Sequence, residues 1–198
     1  MRPLDAYRPA VAKSGPAVIL WNHRWEYDKN PEAFLSALYA LLEHGLEFRV
    51  VLLGEVFVNV PPEFIKARER LGSRIIQFGY VDSRADYARW LWQSDIVVST
   101  AIHEFFGVAL VEALYCGCFP VLPNRLSYPQ FIPPAYRARC LYKSQEHLVA
   151  LLAEAVSTIK DIRAESFRQQ AEVYDWDVMA PSYDALFERL VMEERTAC

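Results

Sequence analysis

Glu104 and Glu112 stand eight positions apart in the run from Ser99 to Gly117, with Phe105, Phe106 and Gly107 between them. Ser94 to Thr100 is apolar enough to be a buried parallel strand and Val108 to Cys116 has the periodicity of a packed helix, which leaves Glu104 in the loop that joins them. Anions bind at such junctions. The free N–H groups of Gly107, Val108 and Ala109 point out of the helix start, where the macrodipole favours a diphosphate, and Gly107 lets the backbone come close. Helical side chains lean toward the N-terminus, so Glu112 can reach back to a ribose diol while Glu104 faces the sugar end of the same ligand. The bare spacing also fits a Glu104 that only stabilises the helix start and a solvated Glu112. The preceding strand, the Phe-Gly pair and the helix stop at Cys116-Gly117 favour a ligand site.

The second group of reactive side chains lies in the segment Asn22 to Pro31, after the first strand. A dinucleotide-binding Gly-x-Gly-x-x-Gly would fall here, and the segment holds no glycine, which weakens a dehydrogenase reading. Arg24 and Lys29 instead come five residues apart on a loop that feeds a helix. This suits two cations gripping a diphosphate, Arg by its fork and Lys as a point charge, with His23 beside them. Leu53-Gly-Glu-Val-Phe and Phe78-Gly-Tyr-Val place Gly54, Glu55, Tyr80 and Val81 at two further strand ends. Strand-end glycines are common turn residues, and their value here is positional, because both loops face the crevice of Arg24 and Glu104.

The elements that hold these loops alternate. Strands are expected at Ala17–Trp21, Phe48–Leu53, Arg74–Phe78, Asp95–Ser99, Cys118–Leu122 and Arg139–Tyr142. Asn30 is the expected N-cap of a helix with Pro31 at its first position, ending at His44-Gly45, and further helices are expected over Pro62–Leu71, Ser83–Gln93, Val108–Cys116, Ser144–Ile159, Ala164–Val173 and Ala180–Met192. Such alternation predicts an α/β fold with a doubly wound, Rossmann-like parallel sheet, whose ligands sit beyond the carboxyl ends of the strands. Residues 1–15 form a polar lead-in and 16–198 the domain. Asp175-Trp-Asp177 has a metal-binding form but follows a helix, so it is read as an aromatic element before the last helix.

A chain of 198 residues with 53% hydrophobic and 14% aromatic content is one globular domain with a real core. Its net charge of -4 gives no blanket attraction to RNA or acidic membranes, so RNA binding needs a local basic patch or another domain. Cys116, Cys118, Cys140 and Cys198 are not spaced as a disulfide scaffold or a zinc site, which fits reduced thiols in a cytoplasm. No apolar run reaches the roughly 18 to 20 residues of a membrane span, and the N-terminus lacks a hydrophobic signal region.

These motifs together resemble the retaining nucleotide-sugar glycosyltransferases of the GT-B fold, whose hallmark is Glu-x7-Glu with Phe-Gly inside. The family's Gly-Arg-x4-Lys segment is matched at Arg24 and Lys29, with His23 in place of the glycine. The phrases Leu20 to Glu32, Leu53 to Phe57, Val98 to Ala109 and Tyr115 to Cys118 are most similar to a branch that uses GDP-mannose on queuosine of a tRNA. The resemblance implies the C-terminal, donor-binding half of a GT-B enzyme, with the N-terminal acceptor half absent and any tRNA held through that half. It implies that Arg24, Lys29 and the amides of Gly107 to Ala109 stabilise the departing diphosphate without metal or cofactor, that Glu104 orients the sugar, and that Glu112 holds the ribose. His23, Gly54, Glu55, Tyr80, Val81, Phe105 and Phe106 complete the donor site. The alternatives are a lipid or polysaccharide glycosyltransferase, a nucleotide-sugar epimerase, and a non-catalytic nucleotide-binding module.

Overall fold

Uninterrupted apolar runs with no polar face dictate strands covered on both sides, and the computed structural model, which describes residues 2–55 and 60–196, places them in such a sheet. β1 (Ala17–Asn22), β2 (Phe48–Leu53), β3 (Ile75–Phe78), β4 (Ile96–Val98), β5 (Phe119–Pro123) and β6 (Leu141–Tyr142) pair in the order β3-β2-β1-β4-β5-β6, all parallel. Ile19, Leu20, Phe48, Val50, Val51, Leu52, Ile96 and Val98 are fully enclosed. Val56 and Phe57 of the glycine loop after β2, and Cys198, lie outside the described residues.

The connecting helices are α1 (Pro31–Glu43), α2 (Pro62–Leu71), α3 (Arg84–Gln93), α4 (Val108–Tyr115), α5 (Arg137–Cys140), α6 (Gln145–Ser157), α7 (Ile159–Ile162), α8 (Arg168–Glu172) and α9 (Trp176–Thr196). α1 packs with α2 and α6, while α4 packs with α3 and α8. Ser83 and Ser144 cap α3 and α6 through their hydroxyls, satisfying N–H groups that the first turn leaves unpaired. Arg2–Tyr7 forms a 3-10 helix against α3, with Leu4 buried and Asp5 held by Arg168 and the Tyr115 hydroxyl. Among the described residues no helix is long and apolar enough to cross a membrane.

Several sequence expectations need correcting. Asn30 does occupy the N-cap of α1, but in the left-handed region at φ 49°, with no side-chain cap. Its N–H closes the preceding turn onto the Tyr27 carbonyl, and Asn tolerates this conformation as few residues do. Of the expected strand Arg139–Tyr142 only Leu141 and Tyr142 pair, because Arg137–Cys140 winds into a helical turn. Arg137 there donates to the Ile132 and Pro129 carbonyls, and Arg139 to Glu165. The expected helix Ala164–Val173 shrinks to α8. The last helix starts earlier than Ala180, at Trp176, with Asp175 Oδ1 accepting from the Asp177 N–H at 3.1 Å and Pro181 inside it.

Candidate functional site

The strand order reverses between β1 and β4, so the loops leaving their carboxyl ends diverge and open a crevice. Here the two loops are stitched together. The Asp28 carbonyl accepts from the N–H groups of Ile102 (2.7 Å) and His103 (3.4 Å), and the Thr100 hydroxyl donates to the Lys29 carbonyl at 2.9 Å. Lys29 is consequently drawn inward to 8% exposure. Its Nζ donates to the His103 carbonyl at 2.8 Å and lies 3.1 Å from Asp28 Oδ2 and 3.4 Å from Glu104 Oε2. Glu104 Oε1 accepts from the Phe105 N–H at 3.2 Å.

Gly107 is the N-cap of α4 at φ 88°, a region that a side chain adopts only with strain. Its Cα faces the Glu104 side chain: a Cβ there would lie 3.6 Å from Glu104 Cγ. The expected sugar-facing carboxylate, the buried cation and the amide end of a helix therefore meet in one place. Phe105 is 99% exposed beside them. Phe106 turns away, packing edge-on against Phe131 and Tyr174, and Val108 is exposed.

Next to this cluster lies a cavity of about 420 Å³ walled by His23, Arg24, Gly54, Glu55, Tyr80 and Val81, together with Asn22 and Tyr87. Arg24 is half exposed, 3.3 Å from Glu26. Gly54 is required by close approach: a Cβ on it would fall 2.1 Å from the His23 carbonyl oxygen and 2.5 Å from the Trp25 ring. The Trp25 N–H to Glu55 carbonyl bond, 3.2 Å, closes the same contact. Burial, reinforced by the Lys29 charge, pushes the His23 imidazole down to about 4 against a hydrogen bond to the Val98 backbone. A neutral His23 adds no positive charge to a diphosphate site.

Two residues of the cavity wall escaped the sequence reading. Asn22, the last residue of β1, donates from Nδ2 to the Ala109 carbonyl at 2.9 Å and to the Tyr87 hydroxyl at 3.4 Å. Tyr87 in turn donates to Glu112 Oε2 at 2.9 Å. Glu112 is not itself among the residues walling the cavity and joins it through this bond. The strand-end position of Asn22 was a usable signal, whereas Tyr87 on α3 carried none.

A doubly wound sheet with a cation, two carboxylates and a glycine-started helix at its switch point defines a Rossmann-like domain of the GT-B glycosyltransferase type. The chain belongs to the family of glycosyl transferases group 1, whose model matches residues 5–173. It is 46% identical over 115 residues to the tRNA-queuosine alpha-mannosyltransferase of Drosophila melanogaster, covering 58% of this chain and 30% of that one. To the GDP-mannose-dependent alpha-(1-6)-phosphatidylinositol dimannoside mannosyltransferase of Mycobacterium tuberculosis it is 28% identical over 182 residues, covering 91% of this chain and 46% of that one. The chain thus spans less than half the length of these relatives. The crystal structure of the C-terminal domain of a glycosyl transferase group 1 family protein from Francisella tularensis superposes with a TM-score of 0.66 at 19% identity, covering 91% of this chain and 97% of that domain.

Proposed function

We propose that this chain is the donor-binding half of a retaining mannosyltransferase that takes its hexose from GDP-mannose and delivers it, together with an acceptor-binding half, to queuosine in a tRNA. The observation that carries the reading is the Lys29–Glu104 pair, 3.4 Å apart beneath the Gly107 end of α4 at the switch point. A diphosphate seated there meets a lysine, the exposed Arg24 and the α4 amides. Charge developing on its oxygens as the sugar departs is then met by preorganised donors, each of which typically contributes about 2.7 to 4 kcal/mol. These groups replace a metal, and no cofactor is needed. Glu104 orients the sugar hydroxyls and Glu112 the ribose, while the cavity walled by Gly54, Tyr80 and Val81 takes the base. The mannosyl donor is supported by both relatives being named mannosyltransferases, and queuosine by the 46% identity with the first. The protein works in the cytoplasm on this reading, consistent with the unpaired thiols of Cys116, Cys118 and Cys140.

Calorimetry with GDP-mannose, GDP, UDP-glucose and ADP-glucose in EDTA tests the reading. GDP-mannose binds tightest and keeps its affinity when magnesium is added. Glu104→Ala spares GDP and weakens GDP-mannose, whereas Glu112→Ala weakens both. Affinity that needs a divalent ion, or equal losses of the two ligands in Glu104→Ala, rejects the proposed roles.

A further inference from the structure

Three side chains from three different elements form one chain of hydrogen bonds that leads from the wall of the cavity to Glu112 behind it. Asn22 at the end of β1 donates to the Tyr87 hydroxyl of α3, and that hydroxyl donates to Glu112 Oε2 of α4. The direction of each bond is fixed. Asn22 Nδ2 must be the nitrogen facing α4, because its partner there is the Ala109 carbonyl, which only accepts. Tyr87 then accepts from Asn22 and has its single proton left for Glu112. Holding the amide this way leaves Asn22 Oδ1 buried with no partner, an unfavourable state that persists only because the two bonds on Nδ2 hold the amide in place.

We infer that Tyr87 is a positioning residue for ribose recognition: it locks the Glu112 carboxylate through Oε2 and leaves Oε1 to accept from the diol of the nucleotide. The inference rests on the reading of Glu112 as the ribose contact. Tyr87 is suited to the task because its donor cannot be lost at physiological pH. Burial, with the Glu112 charge next in weight, holds its hydroxyl well above the usual phenol range. A phenol on a neighbouring helix also carries little rotational freedom, so Glu112 does not spend binding energy on ordering itself. The tyrosine therefore sharpens the choice of ribonucleotide over deoxyribonucleotide without touching the sugar being transferred.

The experiment compares GDP with 2′,3′-dideoxy-GDP by calorimetry in the wild type, Tyr87→Phe, Glu112→Gln and the double variant. Tyr87→Phe keeps the ring that packs against the cavity and loses only the proton. Expected is a loss of about tenfold in GDP affinity in Tyr87→Phe, the worth of one hydrogen bond, with dideoxy-GDP affinity unchanged. The same substitution should cost nothing further once Glu112 is Gln. Parallel losses for both ligands, or an equal loss in the Glu112→Gln background, would overturn the inference, because Tyr87 would then act on general structure or directly on the nucleotide. A wild type that binds GDP and dideoxy-GDP equally overturns the ribose role of Glu112 and the inference with it. A wild type that discriminates while Tyr87→Phe discriminates by the same factor overturns only the inference.

Discussion

Lys29 and Arg24 share a charge and a loop but differ in surroundings, and their replacement should separate two effects. The Lys29 side chain is 10% exposed between Asp28 and Glu104, while that of Arg24 is 54% exposed. Lys29→Met strands two carboxylates and a carbonyl that had a charged donor, and is expected to lower the unfolding free energy by about 1.5 to 3 kcal/mol. Arg24→Ala should change it by less than about 0.5 kcal/mol, as exposed substitutions do. Both should weaken diphosphate binding. Urea unfolding of the two variants checks this, and a Lys29→Met midpoint equal to that of the wild type would show that the cation does not hold the loops.

His23 gives a pH dependence whose sign is fixed by its burial. Its ordinary value of 6.5 applies to the unfolded chain and about 4 to the folded one, so between these the unfolded state binds the proton that the fold excludes. The fold is therefore stabilised above pH 6.5 and loses about 3 kcal/mol as the pH falls to 4. His23→Gln should lose correspondingly less over that window, measured as denaturant midpoints at pH 4.5 and 7. Identical pH profiles would mean that the imidazole does not stay neutral. The residue types at Arg24, Lys29, Glu104 and Glu112 were legible in the sequence because their chemistry is intrinsic. The neutrality of His23 and the bond from Tyr87 to Glu112 were not, since both depend on what neighbouring elements bring within reach.

At the scale of elements, the site depends on how closely the ends of β1 and β2 approach, and Gly54 is where they meet. A methyl group at Gly54 would fall 2.1 Å from the His23 carbonyl oxygen, a backbone atom that cannot swing away. Gly54→Ala is therefore expected to destabilise by about 1 to 3 kcal/mol through overpacking and to cost nucleotide affinity as the loops separate. Gly107→Ala meets only ordinary van der Waals contacts, with Glu104 Cγ at 3.6 Å and Leu110 Cβ at 3.7 Å, and bears the strain of its left-handed conformation, about 1 to 2 kcal/mol. Thermal melts with and without GDP distinguish the two, and a Gly54→Ala protein as stable as the wild type would remove the close-approach argument. Strands β1, β2 and β5 were readable because they are enclosed on both faces. Arg137–Cys140 was not: Arg139 sits beside an apolar run that favours a strand, and the helical turn is held by tertiary bonds to Pro129, Ile132 and Glu165. Similarly, the last helix was expected from Ala180, while it starts at Trp176, where Asp175 accepts from the Asp177 N–H.

For the whole molecule, the question is what one Rossmann-like domain can do by itself. The cavity and the Lys29–Glu104 cluster lie on the carboxyl edge of a single sheet, and the chain covers 30% and 46% of the two mannosyltransferases from Drosophila melanogaster and Mycobacterium tuberculosis. Binding a donor needs only that edge. Transfer also needs an acceptor hydroxyl held against the anomeric carbon, and orientation of this kind is worth about 7 to 11 kcal/mol of barrier. A net charge of -4 supplies no general hold on an RNA that would replace a dedicated acceptor wall. The expected outcome is that this chain alone binds GDP-mannose and hydrolyses it slowly, with no transfer to queuosine-containing tRNA. A protein that adds the acceptor half should place one hexose on the modified nucleoside. Mass spectrometry of the digested tRNA measures both arms: a hexose increment with this chain alone overturns the division into donor and acceptor halves. No increment with the longer protein, while GDP-mannose still binds, overturns the tRNA acceptor and leaves the donor site standing.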